Sequence, residues 1–138
     1  MDKIIIKGNN PLRGSVKISG AKNAVLPVMA ATLLAPGKFT IHKVPDLRDT
    51  RTMMKLLNII GAKTKYENGK LIIDTISANN PEAPYDLVKT MRASFYVLGP
   101  LISRFGRVNV SLPGGCAWGP RPVDYHLNGL EKLGANLH

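Results

Sequence analysis

Apolar positions recur along this chain with two different periods, and the switches between them predict a helix–strand plan that is run through twice. Val25, Val28, Met29, Thr32 and Leu33 recur at helical spacing. Pro27 is tolerable only near the start of such a helix, which places its N-terminus around Ala21–Asn23. Lys38-Phe-Thr-Ile-His42 alternates in the manner of a half-buried strand. Asp49-Thr50 then caps a helix carrying Met53, Leu56, Leu57 and Ile60, and Gly61 ends it. Glu67-Asn-Gly-Lys70 reads as a hairpin turn between Thr64-Lys-Tyr66 and Leu71-Ile-Ile-Asp74.

The plan then starts again. Thr90-Met-Arg-Ala-Ser-Phe-Tyr96 stands for the first helix, Leu101 to Val110 for the helix end and strand, and Leu127 to Ala135 for the second helix, with Gly134 closing the stretch that holds Leu127, Leu130 and Leu133. Gly37 pairs with Gly106 at an offset of 69 residues, whereas Gly61-Ala62 pairs with Gly134-Ala135 at an offset of 73. The extra residues fall between Val110 and Leu127, where Pro113-Gly-Gly-Cys-Ala-Trp-Gly-Pro-Arg-Pro122 lies. A repeat lengthened at one connection points to function there. At the shorter offset Lys22-Asn23 fall on Met91-Arg92, so both pairs sit at predicted helix starts, where free backbone N–H groups favour anions. A new strand is expected at Ala135-Asn-Leu-His138. The hairpin that would complete the second unit is missing, so the chain is expected to be part of a longer repeat-built protein.

Composition narrows the classes. Hydrophobic residues make up 44% and charged residues 20% of 138, as in a folded globular domain. No apolar run reaches the length of a membrane span, and Ile4-Ile5-Ile6 is too short for a secretory signal. One cysteine cannot form an internal disulfide, so a reducing, cytoplasmic setting is expected. The formal net charge of +10 suggests nucleic acid first. Yet the 19 basic residues are spread with no two adjacent, and only 6% of residues are aromatic, too few for a stacking platform. Small anionic substrates, held by a few convergent Lys and Arg, explain the charge as well as a solvated basic surface does.

The chemistry gathers in the glycine- and proline-rich loop. A lone cysteine is often a small buried hydrophobe. Cys116, however, lies between Pro113-Gly-Gly and Gly119-Pro-Arg-Pro, with Arg121 five residues on to favour the thiolate. Arg121 suits bidentate phosphate binding. Pro122 suits the first position of the last helix, and Asp124 in its first turn either complements the dipole or accepts hydrogen bonds from a ligand. Trp118 is either a lid or a packing anchor. His126 has no companion acid or histidine spaced for a metal site, so a structural role is expected. Lys22 and Asn23 are either a polar helix start or an ammonium and an amide facing a bound phosphate or hydroxyl.

Three blocks carry a resemblance: Gly20-Ala-Lys-Asn-Ala24, Ala83-Pro-Tyr-Asp-Leu-Val-Lys-Thr-Met-Arg-Ala-Ser94, and Ser111-Leu-Pro-Gly-Gly-Cys116 with Arg121-Pro-Val-Asp124. In order and spacing they resemble the UDP-N-acetylglucosamine 1-carboxyvinyltransferases, the enolpyruvyl transferases of bacterial peptidoglycan and cell wall synthesis, over essentially the whole chain. The resemblance implies an α/β enolpyruvyl transferase fold, an inside-out α/β barrel of repeated helix–strand units. Residues 1–19 would be strands that pair with a second domain, and 20–138 an incomplete first domain.

The resemblance also implies transfer of the enolpyruvyl group of phosphoenolpyruvate to the 3′-hydroxyl of UDP-N-acetylglucosamine, with phosphate released. No cofactor or metal is implied, and neither nucleic acid nor membrane is a partner. Cys116 is the implied general acid and the thiol alkylated by fosfomycin. Lys22, Asn23 and Arg121 would hold phosphoenolpyruvate. Asn23, Arg92, Arg121, Pro122, Val123, Asp124 and Tyr125 would contact the nucleotide sugar. A further aspartate and arginine would come from later repeats, so residues 1–138 are not expected to turn over alone. The related transferase of aromatic biosynthesis shares the fold but lacks a loop cysteine of this kind.

Overall fold

A computed structural model describes residues 3–9, 11–88, 91–111 and 123–137. The first unit forms as its pattern dictates. Helix α1 (Lys22–Ala31) runs into a 3-10 turn (Thr32–Leu34), strand β1 spans Lys38–Ile41, and helix α2 spans Arg48–Ile59. Strands β2 (Lys63–Glu67) and β3 (Lys70–Asp74) form the hairpin, whose Asn68-Gly69 turn has positive φ at both residues, as a type I′ turn requires. The sheet is antiparallel with order β1-β3-β2. Phe39 pairs with Ile73 and Ile41 with Leu71, while Thr64 and Tyr66 oppose the same two residues from the other side, so all six share one face. The opposite face carries exposed Lys38, Lys63, Lys65 and Lys70, a solvated location for part of the positive charge.

The core is the seam between helices and sheet. Val25, Leu26, Met29, Ala30 and Leu33 meet Met53, Leu56, Leu57 and Ile60 over Leu71 and Ile73, all buried. Two local expectations need correction. Val28 is half exposed, because it lies on the side of α1 turned away from α2. Asp49 is not the cap of α2; the helix begins at Arg48, and Thr50 Oγ1 accepts the Leu47 N–H at 3.0 Å and lies 2.9 Å from the Pro45 carbonyl. Pro27 sits a full turn inside α1 and has no N–H to offer the Asn23 carbonyl.

The second unit follows the plan less closely. Strand β4 (Glu82–Ala83) and the single turn α3 (Tyr85–Val88) lead to a 3-10 segment (Arg92–Val97) that continues as α4 (Leu98–Phe105). The first helix of this unit therefore starts as 3-10. Strand β5 (Asn109–Val110) pairs in parallel with β4. Helix α5 (Asp124–Lys132) has no buried residue, and Leu133 is exposed. The strand expected at 135–138 is absent over residues 135–137, since no described strand pairs with it. Residues 3–9 and 11–19 likewise carry no regular structure, and Ile4, Ile6, Leu12, Val16 and Ile18 stand exposed.

Two polar side chains join what the pattern keeps apart. The Arg104 guanidinium donates to the Leu33 carbonyl at 3.2 Å and the Thr75 carbonyl at 2.9 Å, tying α4 to the first unit. Fully buried Thr75 closes the start of β1 onto the end of β3: its hydroxyl donates to the Ala35 carbonyl at 2.8 Å and accepts the Gly37 N–H at 3.1 Å. Thr75→Val keeps the shape but strands both partners. It should cost about 1–3 kcal/mol, read as a lower thermal unfolding midpoint.

Candidate functional site

Lys22 and Asn23 open α1 with exposed side chains. Their position is fixed from behind by a close backbone approach. A Cβ placed on Gly20 would stand 1.9 Å from the Lys43 carbonyl oxygen. The Lys43–Pro45 crossing is itself hung on the hairpin: the Val44 N–H donates to the Gly69 carbonyl at 2.8 Å, and the Tyr66 hydroxyl donates to the Val44 carbonyl at 3.0 Å. The same crossing feeds α2 through the Thr50 cap and through Arg51, whose guanidinium donates to Asp46 at 2.6 and 2.7 Å. Those hydrogen bonds hold the Asp46 carboxyl below its usual range. The starts of α1 and α2 thus rest on one backbone framework, and an ion pair joins them: Lys22 Nζ lies 3.0 Å from Asp49 Oδ2.

The other described parts of the site connect to α1 by packing. The 3-10 segment that Arg92 opens packs on α1. Phe95 of that segment meets His126 of α5 edge-on, with ring centroids 6.0 Å apart. That contact brings the start of α5, with Val123, exposed Asp124 and exposed Tyr125, beside the segment holding Arg92. His126 therefore has a packing role. Cys116, Arg121 and Pro122, with Trp118 and Pro120, lie outside the described residues. An open, largely apolar depression of about 220 Å³ lies along α1 and is lined by Gly20, Ala24, Val28, Ile41 and His42 among others. Among the described residues no cluster of three His, Cys, Asp or Glu is placed to hold a metal ion, and no helix is long and apolar enough to cross a membrane.

The sequence pattern gives Asp49 only a capping role and no place beside Lys22. Its distance from Lys22 in the chain gives no local signal; only the packing of α1 on α2 brings the two together.

Residues 6–138 match the model of one protein family, described as EPSP synthase (3-phosphoshikimate 1-carboxyvinyltransferase). The chain belongs to the EPSP synthase family. Within reach of this family, the curated relatives include proteins named UDP-N-acetylglucosamine 1-carboxyvinyltransferase from Chloroherpeton thalassium, 57% identical, and from Chlorobaculum parvum, 55% identical. Both alignments cover 99% of this chain but 32% of the relative, so the chain spans about a third of the length of the curated relatives it matches. Among solved structures it is similar to the enolpyruvyl transferase NikO from Streptomyces tendae, with TM-score 0.65 and 31% identity over 72% of this chain and 23% of that one. The EPSP synthase family membership bears out the enolpyruvyl transferase fold expected from the sequence, present here in part.

Proposed function

We propose that this chain works as the N-terminal third of a cytoplasmic UDP-N-acetylglucosamine 1-carboxyvinyltransferase, transferring the enolpyruvyl group of phosphoenolpyruvate to the sugar 3′-hydroxyl in cell wall synthesis. The observation that carries the reading is the shared name of relatives 52–57% identical over 99% of the chain. The cysteine loop favours it over the aromatic-pathway reaction. In this reading residues 20–138 are an incomplete first domain. Exposed apolar Ile4, Ile5 and Ile6, and Val16 and Ile18 on either side of Lys17, are β-branched residues that suit strands, which supports 1–19 as strands awaiting a second domain.

The chemistry is addition followed by elimination. The 3′-hydroxyl oxygen bonds to C2 of phosphoenolpyruvate and passes its proton to a base while the Cys116 thiol delivers a proton to C3, giving a tetrahedral phosphate-bearing intermediate and a thiolate. Return of a C3 proton to the thiolate and departure of phosphate then form the enol ether. Lys22, Asn23 and Arg121 bind phosphoenolpyruvate and offset the charge on the departing phosphate. Arg92 and the Arg121–Tyr125 segment, through Pro122, Val123 and Asp124, hold the nucleotide sugar. Neither cofactor nor metal takes part, and neither nucleic acid nor a membrane is bound. Fosfomycin alkylates Cys116. The reading is tested on a protein that carries this chain with the remaining two thirds: phosphate release should require both substrates together, and release from phosphoenolpyruvate alone at the same rate would refute transfer.

A further inference from the structure

Lys22 is a long, flexible ammonium on an exposed helix start, and such a side chain does not hold one position unaided. Here it is held. Asp49 Oδ2 lies 3.0 Å from Nζ, with the carboxylate side chain 31% and the lysine side chain 47% exposed. Asp49 is itself rigidly mounted. It sits in the first turn of α2, beside Thr50, whose buried hydroxyl caps the helix, and the Asp46–Arg51 pair braces the same turn. Both helix starts are referred to the Lys43–Pro45 crossing, α1 by the close approach of Gly20 and α2 by the Thr50–Pro45 contact. A carboxylate so mounted leaves the remaining ammonium protons of Lys22 free to turn toward an incoming anion.

We propose that Asp49 is a positioning residue for Lys22, fixing the ammonium where the phosphate-bearing substrate binds. The inference rests on the reading of Lys22 as a phosphoenolpyruvate ligand. It makes a prediction opposite in sign to simple charge counting. A carboxylate beside an anion site repels the anion, so on charge alone Asp49→Asn should tighten binding. A positioning role requires the reverse.

The test uses the full enzyme and steady-state kinetics with phosphoenolpyruvate varied. Asp49→Asn should lower kcat/KM for phosphoenolpyruvate by roughly ten- to a hundredfold. Asp49→Glu keeps the charge at the start of α2 but displaces the oxygens by one methylene. It should leave the unfolding midpoint unchanged and still lower kcat/KM severalfold, so it carries the test if the Asn variant does not fold. In a Lys22→Met background the Asn substitution should have little further effect, since its action runs through Lys22. An Asp49→Asn enzyme with unchanged or improved kcat/KM, or an undiminished loss in the Met background, overturns the inference while the site reading stands. Phosphoenolpyruvate dependence indifferent to Lys22→Met removes the site reading and the inference together.

Discussion

Cys116→Ala, in a protein carrying the whole enzyme, should lower turnover by about 10²–10⁴-fold, the usual contribution of a positioned proton donor. In the proposed reaction the substitution removes the acid that protonates C3 of phosphoenolpyruvate. Substrate binding should survive, because Lys22, Asn23 and the arginines remain. The loss should therefore fall on kcat rather than on KM. Fosfomycin should inactivate the parent and add one drug mass to it, and should leave the Ala variant unmodified. Cys116→Asp separates the two roles of the thiol. A carboxyl group is an acid but a poor nucleophile toward an epoxide, so this variant should turn over and resist the drug. Full turnover in the Ala variant would remove Cys116 from the reaction.

The second large effect is structural. Gly20→Ala places a methyl group 1.9 Å from the Lys43 carbonyl oxygen, well inside contact distance, and the obstacle is backbone rather than a movable side chain. Either the Lys43–Pro45 crossing or the start of α1 must shift. The crossing is anchored to the hairpin through Val44, so α1 gives way and carries Lys22 with it. Such overpacking costs about 1–3 kcal/mol, sometimes more. Gly20→Ala should thus lower the thermal midpoint and raise KM for phosphoenolpyruvate together. Gly129, in the middle of α5, is the contrast: beyond its own helix and chain neighbours nothing lies within 4 Å of an added Cβ, so Gly129→Ala should stabilise by about 0.5–1 kcal/mol through helix propensity. A Gly20→Ala protein as stable as the parent would show that the close approach is not required.

The parts of the fold legible in the sequence are those built from neighbours. The first unit reads well because Met53, Leu56, Leu57 and Ile60 repeat within α2, and because Asn68-Gly69 fits one kind of turn. The repeat also marks the second unit, but there length defeats pattern. Two-residue strands β4 and β5 have no period to detect, and Asp124–Lys132 shows helical spacing without burying a side chain. What holds the units together was not legible. The Arg104 contacts span 71 and 29 residues, and the Thr75 hydrogen bonds span about forty; their partners are backbone carbonyls and an N–H, which have no signature in sequence. For the candidate site, motifs single out Lys22, Asn23, Arg92 and the start of α5. Asp49 became visible only when α1 packed on α2. Gly20 belongs to a motif, yet its physical reason is a carbonyl oxygen 23 residues away.

The choice of acceptor tests the account most directly. The enzyme should be given phosphoenolpyruvate with either UDP-N-acetylglucosamine or 3-phosphoshikimate, and both phosphate release and product mass followed. Phosphate should appear with the nucleotide sugar, with a product heavier by one enolpyruvyl group, and no turnover should occur with 3-phosphoshikimate. Turnover with 3-phosphoshikimate and none with the nucleotide sugar would contradict the account.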